Sequence, residues 1–438
     1  MIVFMMILGC ATKKLYLETF EEVWTTVDET YPYEDFGGVD WDEQHEIYEK
    51  KVKKAKDDDA LHLYLQSMLD TLGVSHVSIF PKELYLDDNN SKEESEEDNE
   101  DEDSEQDQKQ QGWTGLEMRW IEEKLIVTKI HPDTVFPDDS AIALGSTVTH
   151  INGSNVSARA RLFDEDRERA FNLGRYGISK LEGNLGDEVT LTIQKGEDSV
   201  DEVFQFQELN SMTSTASFNL PASTVHFDYL KLENDIHYLS FNVFLIPVRE
   251  KIQSAFEQIV DANPKGLIID LRGNPGGFVD LGVFLSSFLV AEKDLDLGKQ
   301  ISRDGTLYLT IYPRPSSQLY QERVVILIDE LSASTSEVVA GGLQELGRVT
   351  VIGQRSAGKA LPSMIKTLAN GDRFQFVVAD LLKPSGERFE ETGVVPDIVV
   401  DRKIEDYIAK IDPEIQSAIN FLKKEQVEKE DLNESTND

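Results

Sequence analysis

Gly266-Leu267-Ile268-Ile269-Asp270-Leu271-Arg272-Gly273-Asn274-Pro275-Gly276-Gly277 and Val324-Val325-Ile326-Leu327-Ile328-Asp329-Glu330-Leu331-Ser332-Ala333-Ser334-Thr335-Ser336-Glu337 share one construction. Each is a short, unbroken apolar run followed by a loop of small and polar residues. Apolar runs of this length without alternation suit strands buried on both faces of a parallel sheet. In open α/β sheets, ligands bind beyond the carboxyl ends of such strands. One of these ends carries paired glycines, which let backbone N–H groups approach an oxyanion closely. The other carries a serine at a helix start, where exposed amides and the helix dipole favour negative charge. Together they look like the parts of an acyl-transfer site.

The surrounding pattern agrees. From 225 to 425 the chain alternates strand and helix. Strands are expected at Ile236–Val243, Leu267–Leu271, Val324–Asp329 and Val349–Gly353, helices at 246–262, 278–292 and 335–346, and a hairpin around Asn370-Gly371-Asp372 within 364–382. Upstream, Tyr16, Phe20, Val23 and Val27, then Leu63, Leu65, Met68 and Leu69, follow helical spacing, so 16–80 reads as a helical region ending near Gly73-Val74-Ser75-His76. The run 87–111 is strongly acidic and nearly free of apolar residues; it reads as a solvated, disordered linker. It lacks the glycine and ordered alternation of a calcium loop. The polar stretch 426–438 reads as a disordered tail.

Residues 112–208 read as a small β-rich domain, with strands at Leu125-Ile126-Val127, Val148–Ile151 and Val189–Ile193 and a turn at Asn152-Gly153. The order, with Gly115-Leu116-Glu117 before the first strand and Ile151-Asn152-Gly153-Ser154-Asn155-Val156 later, resembles a PDZ domain. That resemblance implies capture of a peptide C-terminus by strand addition at Gly115, Leu116 and Glu117.

Composition narrows the function classes. The chain has 438 residues, room for several domains, and 40% hydrophobic content, enough for a sizeable core. Its formal charge of -39 argues against nucleic acid as a partner. The seven histidines are scattered and no cysteine cluster accompanies them, so no metal site is expected. The single cysteine, Cys10, allows no intramolecular disulfide. Met1–Cys10 is too short to span a bilayer. It resembles a bacterial lipoprotein signal in which Leu8-Gly9 precedes the cysteine to be lipidated, although the charged n-region is missing. The resemblance implies a lipid-anchored protein of the bacterial cell envelope.

One nucleotide-like feature and one hydrolase template fail on inspection. Gly353-Gln354-Arg355-Ser356-Ala357-Gly358-Lys359 matches a phosphate loop up to its lysine, but Ala360 stands where a Ser or Thr must hold Mg²⁺, and Pro362 falls in the turn that should start a helix. No G-x-S-x-G elbow is present, so the α/β-hydrolase template does not fit. No cofactor is expected.

The residues resemble instead the carboxyl-terminal processing peptidases and their tricorn-like relatives. Asp270–Gly277 matches that family's Asp-Leu-Arg-x-Asn-x-Gly-Gly signature. Ser332–Glu337 matches its nucleophile segment, Val351–Lys359 its lysine segment, and Gly393-Val394-Val395-Pro396-Asp397 its closing Gly-x-x-Pro-Asp. The resemblance implies an α/β fold with a ClpP/crotonase-like parallel-sheet core, a helical N-terminal region and an inserted PDZ domain, acting as a serine endopeptidase on polypeptides. It places the nucleophile on Ser334, a lysine base on Lys359, and the oxyanion on the amides of Thr335 and of Gly276 or Gly277. A lysine serves as base only where burial lowers its pKa.

Two departures keep a second mechanism open. Some processing peptidases carry a glutamine four residues after the lysine, where this chain has Ser363. Ser75-His76 resembles the Ser-His pair of the tricorn-like branch, whose glutamate falls on Glu390. A Ser334–His76–Glu390 triad is the alternative to Ser334–Lys359. Glu345 sits where some relatives carry a structural acid. A non-catalytic binding protein on the same fold is the rival from another class; intact Ser334 and Lys359 argue against it.

Overall fold

The computed structural model describes residues 2–82, 111–209, 212–214 and 223–435, and the side chains of these except 2–11, 213 and 425–435. The acidic run expected as a linker therefore lies outside the described residues, apart from Gln111. Cys10 falls within the first helix, its side chain also outside them.

The N-terminal region is helical: α1 (Ile2–Thr30), α2 (Trp41–Val52) and α3 (Asp58–Leu69). Asp40 and Asp57 cap α2 and α3 by accepting the N–H of Glu43 and Ala60, each at 2.9 Å. Tyr16, Phe20, Val23 and Val27 form the buried stripe of α1. The chain then turns at Gly73, passes Ser75-His76, and enters a short strand, β1 (Ser78–Phe80).

The β-rich unit contains β2 (Leu116–Ile121), β3 (Lys124–Ile130), β4 (Thr147–Ile151), a helix α4 (Asp166–Leu181), β5 (Glu188–Lys195) and β6 (Asp198–Gln205). Its sheet runs β2-β3-β4-β5-β6, so β2 is an edge strand. α4 is not apparent in the sequence pattern: its polar residues outnumber a stripe broken by Gly174 and Gly177.

The core follows with β7 (Phe227–Leu232), β8 (Ile236–Phe241), α5 (Ile246–Ala262), β9 (Gly266–Asp270), α6 (Val279–Ser286), the hairpin β10 (Leu295–Ser302) and β11 (Gly305–Ile311), β12 (Arg323–Ile328), α7 (Thr335–Glu345), β13 (Thr350–Gly353), the hairpin β14 (Ser363–Thr367) and β15 (Arg373–Val377), β16 (Asp380–Leu382), β17 (Ile398–Val399) and α8 (Pro413–Ser435). Helix α8 thus runs on to Ser435, through much of the stretch expected as a disordered tail, because Ala418 and Leu422 anchor its first half on the core.

The main sheet has the order β7-β8-β9-β12-β13-β17, antiparallel between β7 and β8 and parallel elsewhere. Every residue of β9 is buried, as unbroken apolar runs require. In register, Asp270 lies opposite Leu327 and Ile328 opposite Gly353, so the loops after β9, β12 and β13 emerge side by side. The β10–β11 hairpin joins β16 in a smaller sheet.

A third sheet, β1-β15-β14, decides where the N-terminal region sits. β1 pairs antiparallel with β15, Ser78 opposite Gln375. The helices pack on this hairpin rather than on the main sheet: Phe20, Leu61, Leu65 and Met68 share a core with Leu361, Leu368, Phe374 and Phe376. Phe374 is fully buried there. Phe374→Ala should cost about 3–5 kcal/mol and loosen the helical region from the core. Urea denaturation checks this; a loss below about 1 kcal/mol would show that the helices do not depend on the hairpin.

Candidate active site

Ser334 stands at the start of α7 with φ 53° and ψ −120°. A non-glycine residue in this region costs about 1–3 kcal/mol, a strain found mostly at functional sites. Of the three serines in the segment, Ser332 and Ser336 are fully buried. The Ser332 hydroxyl donates to Leu271 O at 2.8 Å and accepts from Asp329 N, and that of Ser336 donates to Asn274 O at 2.9 Å. Ser334 is partly exposed, so it alone presents its hydroxyl outward.

The loop after β9 is fastened to this segment. Asn274 accepts Gly276 N–H at 2.9 Å, and its carbonyl accepts Ala333 N–H. Thr335 Oγ1 donates to Gly277 O at 2.7 Å. Gly276 N–H, one of the two glycine alternatives for the donor expected beside Thr335, is thus already committed. Among the described residues, neither Gly277 N–H nor Thr335 N–H has an acceptor. Gly276 itself is required for contact: at φ +98° a Cβ would stand 2.6 Å from Ser334 Cβ and 2.8 Å from Thr335 N.

Lys359 arrives from the segment after β13. Its carbonyl accepts Ser334 N–H at 2.9 Å, which fixes the two backbones against each other. Its ammonium lies 5.0 Å from the ring centre of Phe171 on α4, within cation–π range. The phosphate-loop likeness of this segment dissolves here, because Gly358 N–H and Lys359 N–H both donate to a carboxylate, Glu337, and a strand follows instead of a helix.

His76, with φ 62°, and Glu390 converge from opposite ends of the chain. Ser75 joins them: its Oγ lies 2.6 Å from His76 Nδ1 and donates to Glu390 Oε2 at 3.1 Å, while its N–H donates to Glu390 Oε1 at 2.9 Å. Glu390 Oε2 also accepts Ala360 N–H at 2.9 Å, so the acid touches the residue after Lys359. Burial, and secondarily the Lys359 charge, lower the His76 pKa to about 4, which leaves the imidazole neutral at pH 7.

Glu337 and Asp329 carry more of the site than the sequence reading gave them. Glu337 sits three residues after Ser334, the spacing of a capping box, which is the signal that marks it. Asp329 is fully buried and accepts from Gly273 N (2.8 Å), Leu331 N (3.0 Å) and Arg119 Nε (2.6 Å). Burial acts to raise its pKa, but Arg119 and these donors hold it below the usual carboxylate range. Arg119 lies on β2 and Arg167 on α4; the latter donates to Ser356 O and Ala357 O at 2.7 and 2.8 Å. Nothing in the sequence pattern points to either arginine. Glu345 is structural, accepting the N–H and hydroxyl of Ser385.

The residues expected to bind a peptide end lie at the opening of β2. Gly115 has φ +79°, Leu116 N–H makes a 3.3 Å bond to Thr114 Oγ1, and Glu117 pairs with Arg119 and Lys129. Leu116 and Glu117 border a cavity of about 380 Å³ between β2, α4 and the Gly273–Pro275 loop.

Residues 235–400 match the model of peptidase family S41, and residues 13–70 match that of the tricorn protease C1 domain. The chain carries a peptidase family S41 domain. It is 25% identical over 410 residues to carboxyl-terminal-processing peptidase 3, chloroplastic, of Arabidopsis thaliana, covering 92% of this chain and 73% of that protein. With the carboxy-terminal-processing protease of Bartonella bacilliformis it shares 26% identity over 300 residues, covering 67% of this chain and 62% of the relative. With CtpB of Bacillus subtilis the figures are 23% over 357 residues, 81% and 65%. The match thus spans less than two thirds of the Bartonella and Bacillus proteins. Among solved structures, the photosystem II D1 C-terminal processing protease superposes with a TM-score of 0.56 at 20% identity, covering 87% of this chain and 92% of that one. Mature CPAF superposes at 0.58 and 12%, covering 94% and 96%. The fold is a mixed α/β fold similar to that of S41 C-terminal processing proteases.

Gly276→Ala should leave the S41 domain folded yet reduce labelling of the protein by a fluorophosphonate probe about 100-fold or more. Labelling at the wild-type rate would mean that the glycine loop does not approach Ser334.

Proposed function

We propose that this S41 protein is a serine endopeptidase that cleaves unfolded or C-terminally exposed polypeptides, with Ser334 as nucleophile and Lys359 as base. The observation that carries this reading is the strained, partly exposed Ser334 at a helix start, bonded through its own amide to Lys359 O and faced by two unengaged amides. Ser334 Oγ attacks the scissile carbonyl and passes its proton to Lys359 Nζ. The oxyanion rests on Gly277 N–H and Thr335 N–H, a contribution of about 100- to 1000-fold per donor. The protonated lysine gives its proton to the leaving amine, and water then hydrolyses the acyl-enzyme through the same base.

One observation favours a second reading, in which His76 is the base and Glu390 its partner: Ser75 bridges the two within hydrogen-bond distance, and Glu390 reaches the Lys359 segment. The variants separate them. On the first reading Ser334→Ala and Lys359→Ala each lose about 1000-fold or more in kcat on β-casein, and His76→Ala loses far less. On the second, His76→Ala and Glu390→Ala are crippled and Lys359→Ala is nearly normal. Because the His76 pKa is lowered to about 4, a His76 base is neutral and competent above that value, so the acid limb of its pH profile falls only near pH 4. An acid limb near neutrality is therefore not the titration of His76, and it does not by itself name the base, because burial also raises the Glu337 pKa to about 7.

The inserted unit is assigned to the PDZ class, with 112–208 as its bounds and 225–425 as a ClpP/crotonase-like core. The edge position of β2, the left-handed Gly115 before it and the cavity between β2 and α4 support capture of a peptide C-terminus there. The leader through Cys10 is assigned as a lipid anchor to a bacterial cell envelope. Among the described residues no helix is long and apolar enough to cross a membrane. Wild-type protein made in a bacterial host should take up labelled fatty acid and partition into detergent, and Cys10→Ala should do neither; equal partitioning would remove the anchor from the assignment.

A further inference from the structure

We propose that Glu337 is a positioning residue that locks the nucleophile and the lysine segment into one geometry; this rests on the reading of Ser334 as nucleophile. The fully buried Glu337 carboxylate receives four donors from two separate segments. Oε2 accepts Ser334 N–H at 3.0 Å and Lys359 N–H at 3.1 Å. Oε1 accepts Ser356 Oγ–H at 2.5 Å and Gly358 N–H at 2.7 Å. One oxygen thus holds the amides of the nucleophile and of the base at the same time. A misplacement of about 1 Å between reacting groups can cost about 100-fold in rate.

The groups around the carboxylate are specific. On its own helix end stands Ser334. From the segment after β13 come Ser356, Gly358 and Lys359. From α4, Arg167 holds the carbonyls of Ser356 and Ala357, and its guanidinium feels the Glu337 charge. Beyond Lys359, Glu390 takes the next amide, Ala360. The Ser356 hydroxyl in turn accepts Val394 N–H at 2.6 Å, so it is fixed as a donor to Glu337. The carboxylate accepts all four donors at full strength. When a proton binds, one oxygen becomes a hydroxyl that carries its own hydrogen and accepts only weakly, so the contact set is weakened. Burial raises the Glu337 pKa to about 7 against the pull of these donors, so the contact set changes near neutral pH.

The test uses the full chain with β-casein as substrate and a fluorophosphonate probe. Glu337→Gln places an amide NH₂ where one carboxylate oxygen accepted two donors. It should lower kcat about 100-fold or more with KM changed by less than about threefold. Glu337→Asp, which keeps the charge but shortens the reach, should recover part of that loss. Ser356→Ala removes one donor to the carboxylate and keeps the remainder. It should move the acid limb of the kcat profile to higher pH, which a merely structural role would not do. If Glu337→Gln does not fold, by far-UV circular dichroism, the Ser356→Ala profile decides alone. An unmoved limb overturns the proposal, as does a Glu337→Gln enzyme labelled by the probe at the wild-type rate. Ser334→Ala keeps the two readings apart. If it retains activity, the nucleophile assignment falls and this proposal with it; if it is dead while Glu337→Gln is normal, only the role of Glu337 is lost.

Discussion

Backbone amides that leave a sheet must still be satisfied if they stay buried, and three buried carboxylates meet that constraint here. Beyond the ends of β9, β12 and β13 the ladder stops, yet the loops fold inward rather than into solvent. Asp329 takes the amides of Gly273 and Leu331, Glu337 those of Ser334, Gly358 and Lys359, and Glu390 those of Ser75 and Ala360. Charge-assisted bonds of this kind are stronger than neutral ones. They hold loops that no regular element holds, and they do so at the residues where an acyl-transfer site needs fixed geometry.

The arrangement also explains why three parts of the chain are bound together. The N-terminal helices reach the site through β1 and the β14–β15 hairpin, which sets Ser75-His76 beside Glu390. The β-rich unit reaches it twice. Arg119 on β2 extends to Asp329 under the glycine loop, and α4 lays Arg167 on the carbonyls of the lysine segment and Phe171 against the Lys359 ammonium. At the same contact Gly174 leaves room for Leu331: a Cβ at that glycine would stand 2.9 Å from its methyl groups. The β-rich unit therefore touches both loops of the candidate site.

Much of this was legible in the sequence. Unbroken apolar runs of this length, bounded by Gly, Pro and Asp turns, fit strands buried on both faces. Accordingly the expected core elements coincide closely with β8, α5, β9, β12, α7 and β13. Ser334 and the glycine loop are local signals, each carried by neighbours in the chain. The hairpin β10–β11 and helix α4 were not legible, because their residues alternate weakly or break their apolar stripe with glycine, and their faces are fixed by partners far away in sequence.

The sequence by itself determined the alternation of strands and helices in the core, a candidate nucleophile segment and the presence of two candidate bases. Only the tertiary structure decided which side chains meet. Gly276 N–H is spent on Asn274, while among the described residues the amides of Gly277 and Thr335 have no acceptor; Ser75 links His76 to Glu390; and Glu337, a helix-cap residue by its spacing, gathers the amides of both Ser334 and Lys359. The reason is physical. Strand and helix formation depend on periodicities within about ten residues, whereas these contacts join positions up to 315 residues apart, and their partners are set by the packing of whole sheets and helices.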